Sequence, residues 1–293
     1  MNDAVTPGPP PAPVAIRVEG HGRLPINVWD YGGDGPPLVL CHCTGAVARV
    51  WDPVIGRLCG RYRPIAIDTR GHGDSGRPAQ RADYAWAHSG RDILAAVDSL
   101  CPGTGLWAVG HSGGAAHIAY AALQRPGVFS RAVLIEAIVG PPEAFEGDST
   151  LADNARRRRN TFESRADARR RFRSKPPMNT WHEEALEAYV QHGLTVQKHG
   201  GVHLKLPGEI EAFCYEMGGA HDVYDQLAQM SLPALLVAGS ESNCRFLVAG
   251  QAARMPAVQE RIVAGAGHFI PQERPATTAG LIDGWFGNEN CEN

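Results

Sequence analysis

The chain has 293 residues, 43% of them hydrophobic and 20% charged, with a formal net charge of −3. Such a chain can bury a sizeable core, and its near-neutral balance excludes a global field that would recruit nucleic acid or an anionic membrane. Seven scattered cysteines, an odd number, fit reduced thiols in a cytoplasmic setting rather than a disulfide framework. The "CHC" at 41–43 has no second Cys/His pair at zinc-like spacing, so no metal site is expected.

Residues 1–13, "MNDAVTPGPPPAP", carry five prolines and a glycine. They lack the basic start and apolar stretch of a secretory leader, so an extended, disordered tail is expected. No run approaches the roughly 18 apolar residues of a membrane span. "VAIRVEG" (14–20) and "PINVWDYGG" (25–33) alternate apolar with polar, which predicts an antiparallel pair at a sheet edge. The runs at 36–44, 62–71, 106–112, 131–137, 233–239 and 260–268 are almost continuously apolar, as strands covered on both faces require. Helical patterns fall at 85–100, 114–125 and 275–286. Alternating strands and helices predict a mostly parallel sheet of eight strands, wound with helices on both faces.

Residues 141–220 break this rhythm: they are polar, Arg-rich and helix-prone, and too long for a bare loop. They read as a helical cap inserted into a core formed by 14–140 and 221–290. The arginines at 156–159, 169–171 and 173 read as a solvated cap surface. Four in a row wrap all round a helix and form no single stripe for nucleic acid.

"AVGHSGGA" (108–115) contains G-x-S-x-G between a strand-like run and a helix-like one. In that context the pattern sets Ser112 on a tight turn as a nucleophile. A serine hydroxyl needs a base. His268, in "GAGHFIPQERP" (265–275), follows the last strand-like run and so falls at the carboxyl ends of the strands, on the same face as Ser112.

Together, "LCHCTG" (40–45), "IDTRGHGDSGRP" (67–78), "AVGHSGGA", the cap and "GAGHFIPQERP" resemble the α/β-hydrolase fold superfamily, over everything after about residue 14. The resemblance implies Ser112 as nucleophile and His268 as general base. It makes the glycines and Arg70 of 67–78 scaffold. Many relatives carry the orienting acid after the seventh strand, where this chain has Ser242, preceded by Glu241. Glu136, at the end of the sixth strand, resembles the acid of haloalkane dehalogenases and some lactonases of the fold. Apolar flanks would desolvate Glu136, and a buried carboxylate needs a partner, so Glu136 is preferred to Glu241. The oxyanion donors implied are the N–H groups of Gly113 and Thr44, with Cys43 second to Thr44. Cys43 stands where relatives usually have glycine, and His42 braces that loop. Cys43, Trp51 and Phe269 are expected to line the substrate pocket.

The expected function is cofactor-free, metal-free serine hydrolysis of a carboxylic ester or lactone of a small organic substrate, through an acyl-enzyme. Dehalogenases and epoxide hydrolases use an aspartate where Ser112 stands. A carbon–carbon bond hydrolase and a small-molecule receptor that retains the site are the alternatives. The expected partner is a small molecule, with no nucleic acid or membrane, for a monomer or homodimer.

Overall fold

The structure is a computed structural model that describes residues 9–58, 60–145, 150–219 and 221–287. Most of the expected tail lies outside these residues, and 9–13 form no regular element. Residues 59 and 288–290 of the expected core and 146–149 and 220 of the expected cap also lie outside them.

The chain runs through β1 (Val14–Glu19), β2 (Pro25–Asp30), β3 (Pro37–Cys41), α1 (Asp52–Ile55), β4 (Arg63–Ile67), α2 (Trp86–Leu100), β5 (Leu106–His111), α3 (Gly113–Gln124) and β6 (Phe129–Ile135). An insertion follows, with α4 (Thr150–Arg157), β7 (Thr161–Phe162), α5 (Arg165–Arg173), α6 (Glu183–His192), β8 (Leu194–Val196), β9 (Val202–Leu204) and α7 (Gly208–Glu216). The chain closes with α8 (His221–Gln226), β10 (Ala234–Gly239), α9 (Arg245–Ala252), β11 (Val258–Val263), α10 (Ile270–Glu273) and α11 (Pro275–Phe286).

Among the described residues the main sheet has eight strands in the order β1-β2-β4-β3-β5-β6-β10-β11. β1 pairs antiparallel with β2 and β2 antiparallel with β4; every other pairing is parallel. The fold is the expected α/β-hydrolase architecture. In β3, alternate side chains enter opposite layers. Val39 and Cys41 pack with residues of α2 and α3, while Leu38 and Leu40 pack with residues of α1 and α11. That two-sided burial is why the run is apolar throughout, and each large side chain so buried contributes about 1.5–3 kcal/mol. The expectation fails for 260–268. β11 is an edge strand, its face is largely open, and Ile262 is 49% exposed.

Strand order reverses around β3: the chain passes from β3 to β4 on one side, then to β5 on the other. The loops leaving β3 and β5 therefore diverge, and the crevice between them is where doubly wound sheets bind ligands. Thr44 follows β3 and Ser112 follows β5.

The insertion is less purely helical than its composition suggests, because β7, β9 and β8 form a small antiparallel sheet. Its apolar core, including Phe162, Phe172, Tyr189 and Leu194, is continuous with Val47 and Val50 from the segment after β3. Many of its arginines are neutralised within the cap. Arg156 pairs with Glu209 and Glu216, Arg159 with Asp167, and Arg169 and Arg173 with Glu183. Exposed pairs of this kind are screened by solvent and add little to stability. Arg158 departs from the solvated-surface expectation. It turns inward to Glu211 and donates to Tyr189 Oη at 3.1 Å, and Tyr189 Oη donates to the Gly45 carbonyl at 3.2 Å. That chain of contacts ties the cap to the loop after β3.

Candidate active site

Ser112 sits between β5 and α3 with φ 57° and ψ −121°. A positive φ on a residue with a Cβ is strained, at a cost on the order of 1–3 kcal/mol. The surroundings hold it there. Ser112 N–H donates to the Ile135 carbonyl at 2.8 Å, and the Ser112 carbonyl accepts from the N–H groups of Ala115 and Ala116. The neighbouring glycines serve close approach rather than the bend. A Cβ on Gly110 would lie 2.5 Å from Ala115 Cα, and one on Gly114 would lie 2.5 Å from the carbonyl oxygens of Cys41 and His42. The serine carries the strain, and the glycines let β3, β5 and α3 meet beneath it.

His268 comes from the loop between β11 and α10. Its Nε2 lies 2.9 Å from Ser112 Oγ and its Nδ1 lies 3.0 Å from Glu136 Oε2. Glu136 follows β6 directly. It is fully buried and, like Ser112, holds a positive φ, of 51°. Its carboxylate accepts from Gly239 N–H at 2.6 Å and Ser242 Oγ at 2.6 Å as well as from His268. Three donors on one buried carboxylate supply the compensation that burial demands. With Glu136 accepting, the proton of a neutral His268 lies on Nδ1 and Nε2 is free to take one from Ser112. Glu241 is exposed, and among the described residues its carboxylate accepts from its neighbour Ser240 Oγ, at 2.9 Å. Ser242, where many relatives place the acid, instead braces the Glu136 carboxylate.

Other buried imidazoles hold the loops. His111 Nε2 lies 2.9 Å from the His268 carbonyl, which fixes the loop that carries His268. His42 donates from Nδ1 to the Cys43 carbonyl at 2.8 Å and accepts at Nε2 from Thr69 N–H at 3.2 Å. His72 accepts at Nε2 from Gly45 N–H at 3.1 Å. Burial lowers the pKa of both His42 and His72 to about 4, so both are neutral struts near pH 7. The segment they fix holds Thr44, whose Oγ1 would lie 2.7 Å from a Cβ on Gly113. Among the described residues, neither Thr44 N–H nor Gly113 N–H donates a hydrogen bond within the protein. Two adjacent free donors beside Ser112 have the form of an oxyanion hole. Arg70, expected to be scaffold, makes a buried two-point pair with Asp92 at 2.8 and 2.9 Å.

Trp51 is fully buried, packed in one core layer with Leu38, Leu40 and Val54. Cys43 is also buried, packed into the cap-side core, and burial pushes its thiol up to about 12. Phe269 lies at the junction of base and cap, with ring centres 5.1 Å from His268 and 5.6 Å from Trp181. The contacts of Ser242 and His111 are not legible in the sequence, where the absent aspartate at position 242 is the signal that points to the first.

For His268, burial lowers the pKa, but the adjoining Cys244 and Glu136 side chains outweigh it and raise it to about 9. A base must be unprotonated to act, so kcat/KM is expected to rise with pH, with its inflection above the ordinary histidine value of about 6.5. The stability contribution has the opposite sense. A raised pKa stabilises the protonated form, so the contribution is complete below about 6.5 and is lost as pH climbs through about 9. Matched pH profiles of kcat/KM and of melting temperature check both directions. An activity inflection at or below 6.5 would contradict the reading.

A strained serine at the switch point of a doubly wound sheet, with an imidazole and a carboxylate delivered from later strands, defines the α/β-hydrolase class. The chain belongs to the alpha/beta hydrolase family, which matches residues 38–281. It is 26% identical over 220 residues to the abhydrolase domain-containing protein ACTT2 of Alternaria alternata, covering 62% of this chain and 83% of that one. Among solved structures, E-2-(acetamidomethylene)succinate hydrolase superposes with a TM-score of 0.79 at 22% identity, covering 94% of this chain and 99% of that one. The thioesterase domain from the curacin biosynthetic pathway superposes with a TM-score of 0.77 at 24% identity, covering 92% and 99%. Among the described residues no helix is long and apolar enough to cross a membrane.

Proposed function

We propose that the protein is a cofactor-free serine hydrolase that cleaves a carboxylic ester or lactone of a small organic substrate through an acyl-enzyme. The observation that carries this reading is the continuous relay from Ser112 Oγ through His268 to Glu136 Oε2, with spacings of 2.9 and 3.0 Å. Ser112 attacks the carbonyl carbon while His268 Nε2 takes its proton. Glu136 holds the proton on Nδ1 and stabilises the imidazolium that forms. The oxyanion is received by the N–H groups of Thr44 and Gly113, a contribution of about 10²–10³ in rate for each donor of this kind. The imidazolium then protonates the departing alkoxide. Water, activated by the same imidazole, releases the acid and restores Ser112.

Ser112 is only 7% exposed. In this reading the 141–220 cap shifts to admit a substrate. Labelling the purified protein with a fluorophosphonate, then screening short p-nitrophenyl esters and a set of lactones, tests the proposal. Labelling at Ser112 with turnover of an ester or lactone is the expected result. Labelling without such turnover would favour the carbon–carbon hydrolase or receptor readings, and absence of both would remove the hydrolase.

A further inference from the structure

Cys244 has no part in the reaction just proposed, yet its side chain lies against the base. It immediately precedes α9, is partly exposed, and its N–H donates at 3.1 Å to Ser242 Oγ, which itself donates to Glu136. One donor atom each from Cys244, His268 and Glu136 lie within 4.8 Å of one another, and among the described residues no other group of three such ligands is found. The "CHC" run does not compete: Cys41 and Cys43 are buried, and both nitrogens of His42 are engaged within the protein.

We propose that Cys244, His268 Nδ1 and Glu136 Oε2 form an inhibitory site for a thiophilic divalent cation, zinc being the best match, which switches off the hydrolase by capturing the orienting side of its base. The inference rests on the hydrolase reading for its consequence, but not for the binding itself. A thiolate, an imidazole and a carboxylate are the ligand set of tetrahedral zinc, with bonds of about 2.0–2.3 Å. A sulfur–nitrogen pair disfavours magnesium and calcium, which take oxygen. Nδ1 and Oε2 are already 3.0 Å apart, so small side-chain shifts bring the donors around one ion. The fourth position falls to water or to the Ser242 hydroxyl. His268 keeps 22% of its side chain exposed, which leaves a route in.

The proton balance explains the inhibition. The ion binds the Nδ1 lone pair, so the single proton of the neutral imidazole sits on Nε2 instead of Nδ1. The thiol of Cys244 loses its proton to solvent, so binding to the neutral imidazole releases one proton per ion and binding to the imidazolium releases two, with no change of oxidation state. Nε2–H then faces Ser112 Oγ as a donor and cannot take the serine proton. The ion imposes the wrong tautomer, the same defect as an amide in place of the orienting acid.

The test uses the full chain, stripped with chelator, and two readouts. Cobalt loading reports thiolate ligation through its sulfur-to-metal charge-transfer band, without any substrate. Zinc titration of fluorophosphonate labelling and of hydrolysis reports the consequence. The wild type is expected to show the band, to lose labelling and turnover as zinc is added, and to regain both with EDTA. Cys244→Ala, and Cys244→Ser as a second variant, are expected to lack the band. Each should need at least about tenfold more zinc for half-inhibition, measured against its own zinc-free rate. An unchanged band and unchanged zinc sensitivity in both variants would overturn the site. If the wild type shows neither labelling nor turnover, the hydrolase reading fails, while the cobalt band still decides whether the ion binds. Labelling without a band sinks the metal site alone.

Discussion

Replacing Ser112 with alanine is expected to lower kcat by about 10⁴–10⁶ and to end fluorophosphonate labelling, because the oxygen that attacks is gone. The fold is expected to survive unchanged. Alanine keeps the Cβ and so inherits the same strained φ of 57° and ψ of −121°, and the Ser112 backbone contacts to Ile135 and Ala115 do not use the hydroxyl. Melting temperatures of Ser112→Ala and wild type should therefore agree closely. Ser112→Gly separates strain from chemistry. It is equally inactive but melts higher, since losing the Cβ releases part of a strain on the order of 1–3 kcal/mol. Turnover by Ser112→Ala within about tenfold of wild type would remove the serine from the mechanism.

The same residue shows why some of this molecule can be read from its sequence and some cannot. Short-range rules act within a few residues. The two-sided burial of β3 writes itself as an unbroken apolar run, and the crowding around Gly110 and Gly114 admits no side chain, so both appear in the letters. The edge position of β11 does not. Its apolar residues look like those of a central strand, and only strand order shows that, among the described residues, nothing pairs beyond it. The surroundings of an aromatic are no more legible: Trp51 and Phe269 both lie near motif residues, but one packs in the core layer of α1 and α11 and the other between His268 and Trp181. Arg158 shares a run with Arg156, Arg157 and Arg159, and the course of the chain just past the end of α4 decides which one faces in. The Glu136–Ser242 contact joins residues 106 apart. The sequence showed a missing aspartate at position 242, and three dimensions supply what a serine does there.

That contact makes the second large effect specific. Glu136→Gln is expected to lose on the order of 10²–10⁴ in kcat, whereas Glu241→Gln loses far less. Oε1 of Glu136 accepts from Gly239 N–H, so the oxygen of a glutamine must stay there; turning the amide over would set two N–H donors against each other. The amide nitrogen then points at His268 Nδ1 and Ser242 Oγ. The serine hydroxyl can rotate and accept, but the imidazole can accept only by moving its proton to Nε2. There it faces Ser112 as a donor, and the base is disabled with its geometry intact. The imidazolium also loses its counter-charge at a fully buried position. Glu241→Gln alters one exposed hydrogen bond to Ser240. Steady-state kinetics on the two variants decide the assignment, and a larger loss at 241 than at 136 would place the orienting acid elsewhere.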